Sequence, residues 1–287
     1  MNETEARQRL ETIFPNKDIQ IKYRLLGGMS NYTFVVIIDN ELFTYRKPGE
    51  YAEYFVDRDM ERKNISIMEQ LKITNETVYF DVKSGEKIAK YVDGISLHQA
   101  LEYPLEKVVA LLKKIHNSTI RAENDYEPFK RLAKYERHVE KLGFYPPIAY
   151  LEIKKKFLDY KPYLCTQNRV LCHGDSQPSN FILSKEEVRA VDFEFCGNND
   201  PIYDIACFAN INLDDGLKLL NTYFSDVTPD HLKRFYLWRT FQCFQWYNVA
   251  TFKELMGMST TLKIDFNRVA ENYLNKIYIL LDKVENI

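Results

Sequence analysis

His173-Gly174-Asp175-Ser176-Gln177-Pro178-Ser179-Asn180, followed by Val191-Asp192-Phe193, decides how this chain is read. The stretch sets an Asp and an Asn five residues apart and a second Asp twelve residues further on, at the end of an apolar run. Phosphoryl transfer to an alcohol needs those groups. One carboxylate accepts the hydroxyl proton and aims the oxygen at phosphorus, while an amide oxygen and a second carboxylate hold a metal on the nucleotide phosphates. Asp175 is the expected base, and Asn180 and Asp192 are the expected magnesium ligands, since that ion takes hard oxygen donors and completes its shell with phosphates and waters. An unpaired carboxylate at Asp192 would be costly in apolar surroundings, and a cation relieves that cost.

Protein kinases use the related elements H-R-D-x-x-x-x-N and D-F-G. Here Gly174 stands in place of the Arg, and Glu194 stands where the last Gly would be. The departure points to a kinase of small molecules.

Upstream of this stretch, a short amphipathic helix from Glu3 to Phe14 precedes a meander: a strand over Ile19 to Leu26, a turn at Gly27-Gly28-Met29-Ser30-Asn31, a run from Tyr32 to Ile38, a tight turn, and a strand from Glu41 to Lys47. The turn is placed to offer Gly28, Ser30 and Asn31 to phosphates. On the third strand Leu42, Thr44 and Arg46 share one face and Phe43, Tyr45 and Lys47 the other. Arg46, with Lys47 as competitor, is the expected phosphate-contacting cation, held by Glu61 of a following helix over Asp57 to Leu71. Lys90, Tyr91 and Val92 would present backbone groups to adenine. Asp93-Gly94 reads as the break between a nucleotide-binding region, residues 1–92, and a catalytic and substrate-binding region, residues 93–287. That second region reads mainly helical, with a clear 3.6-residue period in Leu105 to His116. His173 is expected to be structural, tying its loop to a buried carboxylate, Asp204.

The bulk properties exclude other classes. In 287 residues the net charge is −2 and the pI is near 6.3, which favours neither nucleic acid nor an anionic membrane as partner. The five cysteines form no C-x-x-C pair and no zinc spacing. The N-terminus is acidic with no apolar core of a signal peptide, and no apolar run is long enough to span a bilayer, so a cytoplasmic protein with reduced thiols is expected. No G-x-S-x-G elbow supports a hydrolase. A catalytically silent nucleotide binder is the competing reading from another class, opposed by the intact Asp175, Asn180 and Asp192.

Taken together, Gly27 to Asn31, Tyr45-Arg46 with Pro48-Gly49, Asp57-Arg58 with Glu61 and Asn64, Lys90 to Gly94, His173 to Asn180, Asp192-Phe193-Glu194, and Asp200-Pro201 with Tyr203 to Ala206 resemble the choline/ethanolamine kinase family, within the aminoglycoside-phosphotransferase-like kinases. The resemblance implies an α+β, bilobal protein-kinase-like fold, with a small N-lobe built on an antiparallel sheet and a larger, mainly helical C-lobe. It implies ATP-dependent, Mg2+-dependent phosphorylation of choline to phosphocholine, with ethanolamine, thiamine or an aminoglycoside as alternative acceptors. Asp175, Gln177, Glu194, Tyr203 and Trp246 are then the expected acceptor-side residues. A quaternary ammonium needs aromatic faces and a nearby carboxylate. The family's W-x-x-W pair is matched here by Trp246 at its first position and Val249 at its second, so Glu194, Tyr203 or Trp238 is expected to complete the cage.

Overall fold

The computed structural model describes residues 1–25, 31–185 and 187–287. The architecture is α+β, in two compact units. The first comprises Met1–Tyr103 with Pro178–Phe195, and the second Pro104–Gln177 with Cys196–Ile287. The chain thus divides near Tyr103 rather than at Asp93-Gly94, and the segment carrying Asn180 and Asp192 returns to the first unit.

In the first unit, helix α1 (Glu3–Ile13) starts at a reciprocal cap between Asn2 and Glu5. Strands β1 (Ile19–Leu25), β2 (Asn31–Ile38), β3 (Glu41–Pro48), β4 (Thr77–Phe80) and β5 (Lys87–Lys90) form one antiparallel sheet in the order β1-β2-β3-β5-β4. Strand alternation gives the sheet two chemically distinct faces. Phe34, Val36, Ile38, Phe43, Tyr45 and Ile88 are buried with Ala6 and Leu10 of α1. On the other face, Arg46 lies directly across from Lys87 and Thr44 from Ala89. Helix α2 (Arg58–Gln70) begins where the Asp57 side chain accepts from the amides of Asp59 and Met60. It brings Glu61 to the Arg46 face. Phe181–Leu183 pairs with both Ile95–Ser96 and Val188–Ala190 in a small separate sheet.

In the second unit, helices α3 (Leu105–His116), α4 (Pro128–Lys141), α5 (Ile148–Leu158) and α6 (Lys161–Cys165) precede the strand Val170–Cys172. Helices α7 (Pro201–Phe208), α8 (Leu213–Tyr223), α9 (Pro229–Leu255), α10 (Met258–Leu262) and α11 (Phe266–Glu285) follow. The 27-residue α9 is the core of this unit: Phe235, Trp238, Phe241, Phe244 and Phe252 are all buried, and α4, α7 and α11 pack against it. The strand Gly197–Asn199 pairs with Val170–Cys172. Nothing in Gly-Asn-Asn favours a strand, and the pairing is imposed by the Val170–Cys172 edge. Four cysteines are buried, Cys165 is exposed, and all five are free thiols. Among the described residues no helix is long and apolar enough to cross a membrane.

Glu86 ties α1 to the sheet. It accepts from Arg9 at 2.7 and 2.9 Å, from the Tyr45 hydroxyl at 2.6 Å and from Ser84 at 3.1 Å. Burial would raise its carboxyl, but the bonds from Arg9 and Tyr45 outweigh burial and leave it below its ordinary value of 4.5. Because the folded value is the lower one, this stabilisation is complete above the unfolded value and is lost as pH falls through the folded value. Glu86→Gln is expected to cost about 1–3 kcal/mol in urea unfolding at pH 7. The difference from wild type should shrink under acid conditions, and equal stability at neutral pH would contradict this role.

Candidate active site

In the first unit the site is built around one guanidinium. Arg46, 5% exposed, places Nη2 2.7 Å from Glu61 Oε1, and Nη1 3.1 Å from Asp192 Oδ1 and 3.3 Å from Glu194 Oε1. Nη2 also donates to the Gly85 carbonyl at 3.1 Å. A second guanidinium, Arg58, lies 2.6 Å from Glu61 Oε2 and 2.8 Å from Glu194 Oε1. Asn31 adds a donor to Glu194 at 3.3 Å. Two arginines therefore lace three carboxylates drawn from α2 and from the Asp192–Glu194 turn. Lys47, on the opposite face of β3, is exposed.

Carboxylate oxygens of Glu61, Asp192 and Glu194 lie within 4.8 Å of one another. Their environments differ. Burial, and next the neighbouring Glu194, push Asp192 up to about 6, against the pull of Arg46 and Lys87. Glu194 is also buried, but Arg46 and Arg58 outweigh that and hold it below the usual carboxylate range. Asp192 adopts a left-handed backbone, φ 68°, a conformation that costs a non-glycine residue about 1–3 kcal/mol and clusters at functional sites. The Val191 amide donates to the Asn180 carbonyl at 2.9 Å, which joins the backbone of Asn180 to the residue before Asp192. Hard oxygen donors around a carboxylate that resists ionisation suit a magnesium ion.

In the second unit the loop before Asp175 is held by its backbone. Asp204, fully buried on α7, accepts from the amides of His173 at 2.7 Å and Gly174 at 2.9 Å, and from His116 Nε2 at 3.0 Å. The Ser176 hydroxyl donates to the Asp204 carbonyl at 2.6 Å. Gly174 has φ 80°, a backbone that disfavours any side chain there. The His173 ring accepts from the Asp175 amide at 3.3 Å. An imidazole bonded to Asp204 is that of His116, which sequence reasoning missed. Burial would raise Asp204, but the bond from His116 outweighs it and keeps the carboxyl low. With Nε2–H donating to Asp204, Nδ1 accepts from the Tyr223 hydroxyl at 3.0 Å. The Asp175 carboxylate itself accepts from Gln177 Nε2 at 3.1 Å.

Residues 23–214 match the choline/ethanolamine kinase family. The chain belongs to that family. Protein LicA of Haemophilus influenzae is 26% identical over 226 residues, 75% of this chain and 66%, slightly less than two thirds, of that relative's length. The choline kinase LicA from Streptococcus pneumoniae shares the fold with a TM-score of 0.80 at 22% identity, covering 98% of this chain and 99% of that one. Aminoglycoside 2'-phosphotransferase-IIIa does so with a TM-score of 0.69 at 17% identity, covering 100% of both chains.

The remaining residues expected from the family pattern are placed unevenly. Gly28 and Ser30 lie outside the described residues. Lys90 has its amide and carbonyl engaged by Glu76 and Asn75, and the Tyr91 amide donates to Leu42. Val92 is the one of these three, among the described residues, whose amide and carbonyl both stay out of backbone hydrogen bonds. Two of the expected cage aromatics are buried in the second unit. Tyr203 is 1% exposed, and its hydroxyl lies 2.6 Å from that of Tyr126. Trp238 is equally buried and donates to Asp200 at 2.8 Å. Glu194 is committed to the two arginines. Of the expected cage aromatics only Trp246 is part-exposed.

Asp192 offers a pH test. Its folded value lies above its ordinary 3.8, so the folded chain holds this proton more tightly than the unfolded chain, and the group opposes folding as pH rises through about 6. Magnesium must displace that proton. Calorimetric titration of magnesium with a non-hydrolysable ATP analogue should show proton release near pH 6 that vanishes in Asp192→Asn. Identical proton release in both proteins would remove Asp192 from the metal site.

Proposed function

We propose that this chain transfers the γ-phosphoryl group of ATP, as its magnesium complex, to the hydroxyl of a small molecule. Family membership together with the Arg46–Glu61–Asp192 network supports this reading. Asp175 takes the hydroxyl proton as the alcohol oxygen attacks, and its bond from Gln177 fixes the carboxylate's orientation. Asn180 and Asp192 would hold the metal, which when bound supplies charge neutralisation on the phosphates. Arg46, oriented by Glu61 and Glu194, reaches the phosphates as a fixed cation and needs little rearrangement when charge develops on them. Val92 offers its backbone amide and carbonyl to adenine. Most of the rate enhancement is positioning and electrostatics, because the reaction asks for little covalent chemistry from protein.

Choline is the acceptor the family suggests, and it is the amine for which Trp246 would provide a face. The acceptor is also where this chain parts from that pattern. Val249 stands at the second tryptophan position, and Tyr203 and Trp238 are spent in the core.

Asp175→Asn separates binding from chemistry. It should bind ATP with magnesium as wild type does and lose at least about 10²-fold in ADP release with an acceptor, the range for a removed general base. Turnover retained within a few-fold would take Asp175 out of that role.

A further inference from the structure

Helix α5 is apolar on two opposite sides, one buried and one exposed. Tyr150, Ile153 and Phe157 make the buried side. The Tyr150 hydroxyl donates to Glu136 of α4 at 2.7 Å and accepts from Asn248 of α9 at 2.9 Å, so this side is fixed in place. On the other side Ile148 is 73% exposed, and Leu151 and Leu158 are exposed three and ten residues further on. A helix apolar all round is ordinarily buried all round. The stretch leading into α5, Leu142-Gly143-Phe144-Tyr145-Pro146-Pro147, holds no charged residue, and Tyr145 within it is 79% exposed. Tyr278 of α11 donates to the Ala149 carbonyl at 3.0 Å, which sets the exposed Tyr278 and its neighbour Ile279 beside the start of α5. Exposed apolar surface of this extent marks a place where something docks.

Charge and backbone choose what docks there. The whole chain carries −2, yet residues 134–161 hold seven Lys and Arg against four Asp and Glu. Glu136 is already paired with Lys154. Lys141, Lys155 and Lys156 are exposed next to the apolar run, and the exposed acids of the segment are Glu140, Glu152 and Asp159. From Tyr273 onward α11 is balanced, with Lys276 and Lys283 against Asp282 and Glu285. A two-fold pairing with a second copy would set the basic excess against itself, whereas an anionic surface complements it. The loop also brings few unmet donors. The Gly143 amide donates to the Glu140 carbonyl at 2.9 Å and the Phe144 amide to the Val139 carbonyl at 3.2 Å, and Pro146 and Pro147 have no amide. The acyl boundary of a bilayer supplies few acceptors for stray amides, so a loop built this way enters it at low cost.

We propose that the α4–α5 loop and the exposed side of α5 dock this chain on an anionic lipid surface. Tyr145 and Ile148 enter the boundary between headgroups and acyl chains, the level at which tyrosine rings collect. Lys141, Lys155 and Lys156 lay their stems along the apolar surface and carry their ammonium groups to the lipid phosphates. The chain is held at the surface rather than across it. This docking goes beyond the kinase reading and does not rest on it.

The test is sedimentation of the full chain with vesicles of phosphatidylcholine alone, or of phosphatidylcholine with about one third phosphatidylglycerol, at low and high salt. Binding to the anionic vesicles should be stronger by about tenfold or more and should weaken as salt rises. Tyr145→Ser with Ile148→Ser should cut that binding by about tenfold or more, through lost apolar burial. Lys155→Glu with Lys156→Glu should cut it by as much, through lost attraction. Both pairs lie at exposed positions, and their melting curves should match wild type. Binding to neither vesicle, equal binding to both, or binding unchanged in either double variant would overturn the proposal. So would a dimer in sedimentation velocity that Tyr145→Ser with Ile148→Ser abolishes, since that result gives the face to a second copy. Failure of the ADP-release test above would leave this prediction standing.

Discussion

The Arg46 guanidinium, buried among Glu61, Asp192 and Glu194, is the interaction on which the rest of the first unit depends. It lies on a strand, and its partners come from a helix and from a turn that is distant in sequence. A charge this buried persists only where its partners are fixed. The β3 register, the start of α2 at Asp57, and the left-handed backbone at Asp192 must therefore all be met together. Removing the Arg46 guanidinium would leave Arg58 as the one arginine against three carboxylates. Burial, with the neighbouring Glu194, makes Asp192 reluctant to ionise, so its state is one that a divalent ion would alter.

The second unit solves a different problem with one carboxylate. Asp204 gathers two loop amides and an imidazole, so the loop carrying Asp175 is shaped by its backbone rather than by its side chains. Any side chain at Gly174 would strain that loop, which gives a physical reason for Gly where protein kinases carry Arg. Val249, on α9, stands where the family pattern has its second tryptophan.

What was legible in the sequence follows from range. Asp175, Asn180 and Asp192 stand out because their spacing is local, and Arg46 stands out because strand alternation separates it from Lys47. The sheet and the long helices were readable from their periods. His116 was not, since it is an unremarkable residue on a helix until a distant segment meets it. Tyr203 was misassigned for a related reason: it sits beside Asp204 on a short helix whose turns are nearly all buried, and adjacency to a functional residue says nothing about which way a ring points. The strand at Gly197–Asn199 exists only through its partner, and no local propensity announces it.

On the proposed function, a prebuilt charge network orients Arg46 for nucleotide phosphates. The most direct measurement is the affinity of Glu61→Gln for ATP with magnesium, by calorimetry at pH 7, with its melting curve as a check on folding. The account predicts a folded protein whose affinity has fallen by about tenfold or more, as expected when a charged hydrogen bond that positions a ligand group is lost. A folded Glu61→Gln that binds magnesium-ATP as tightly as wild type would contradict it.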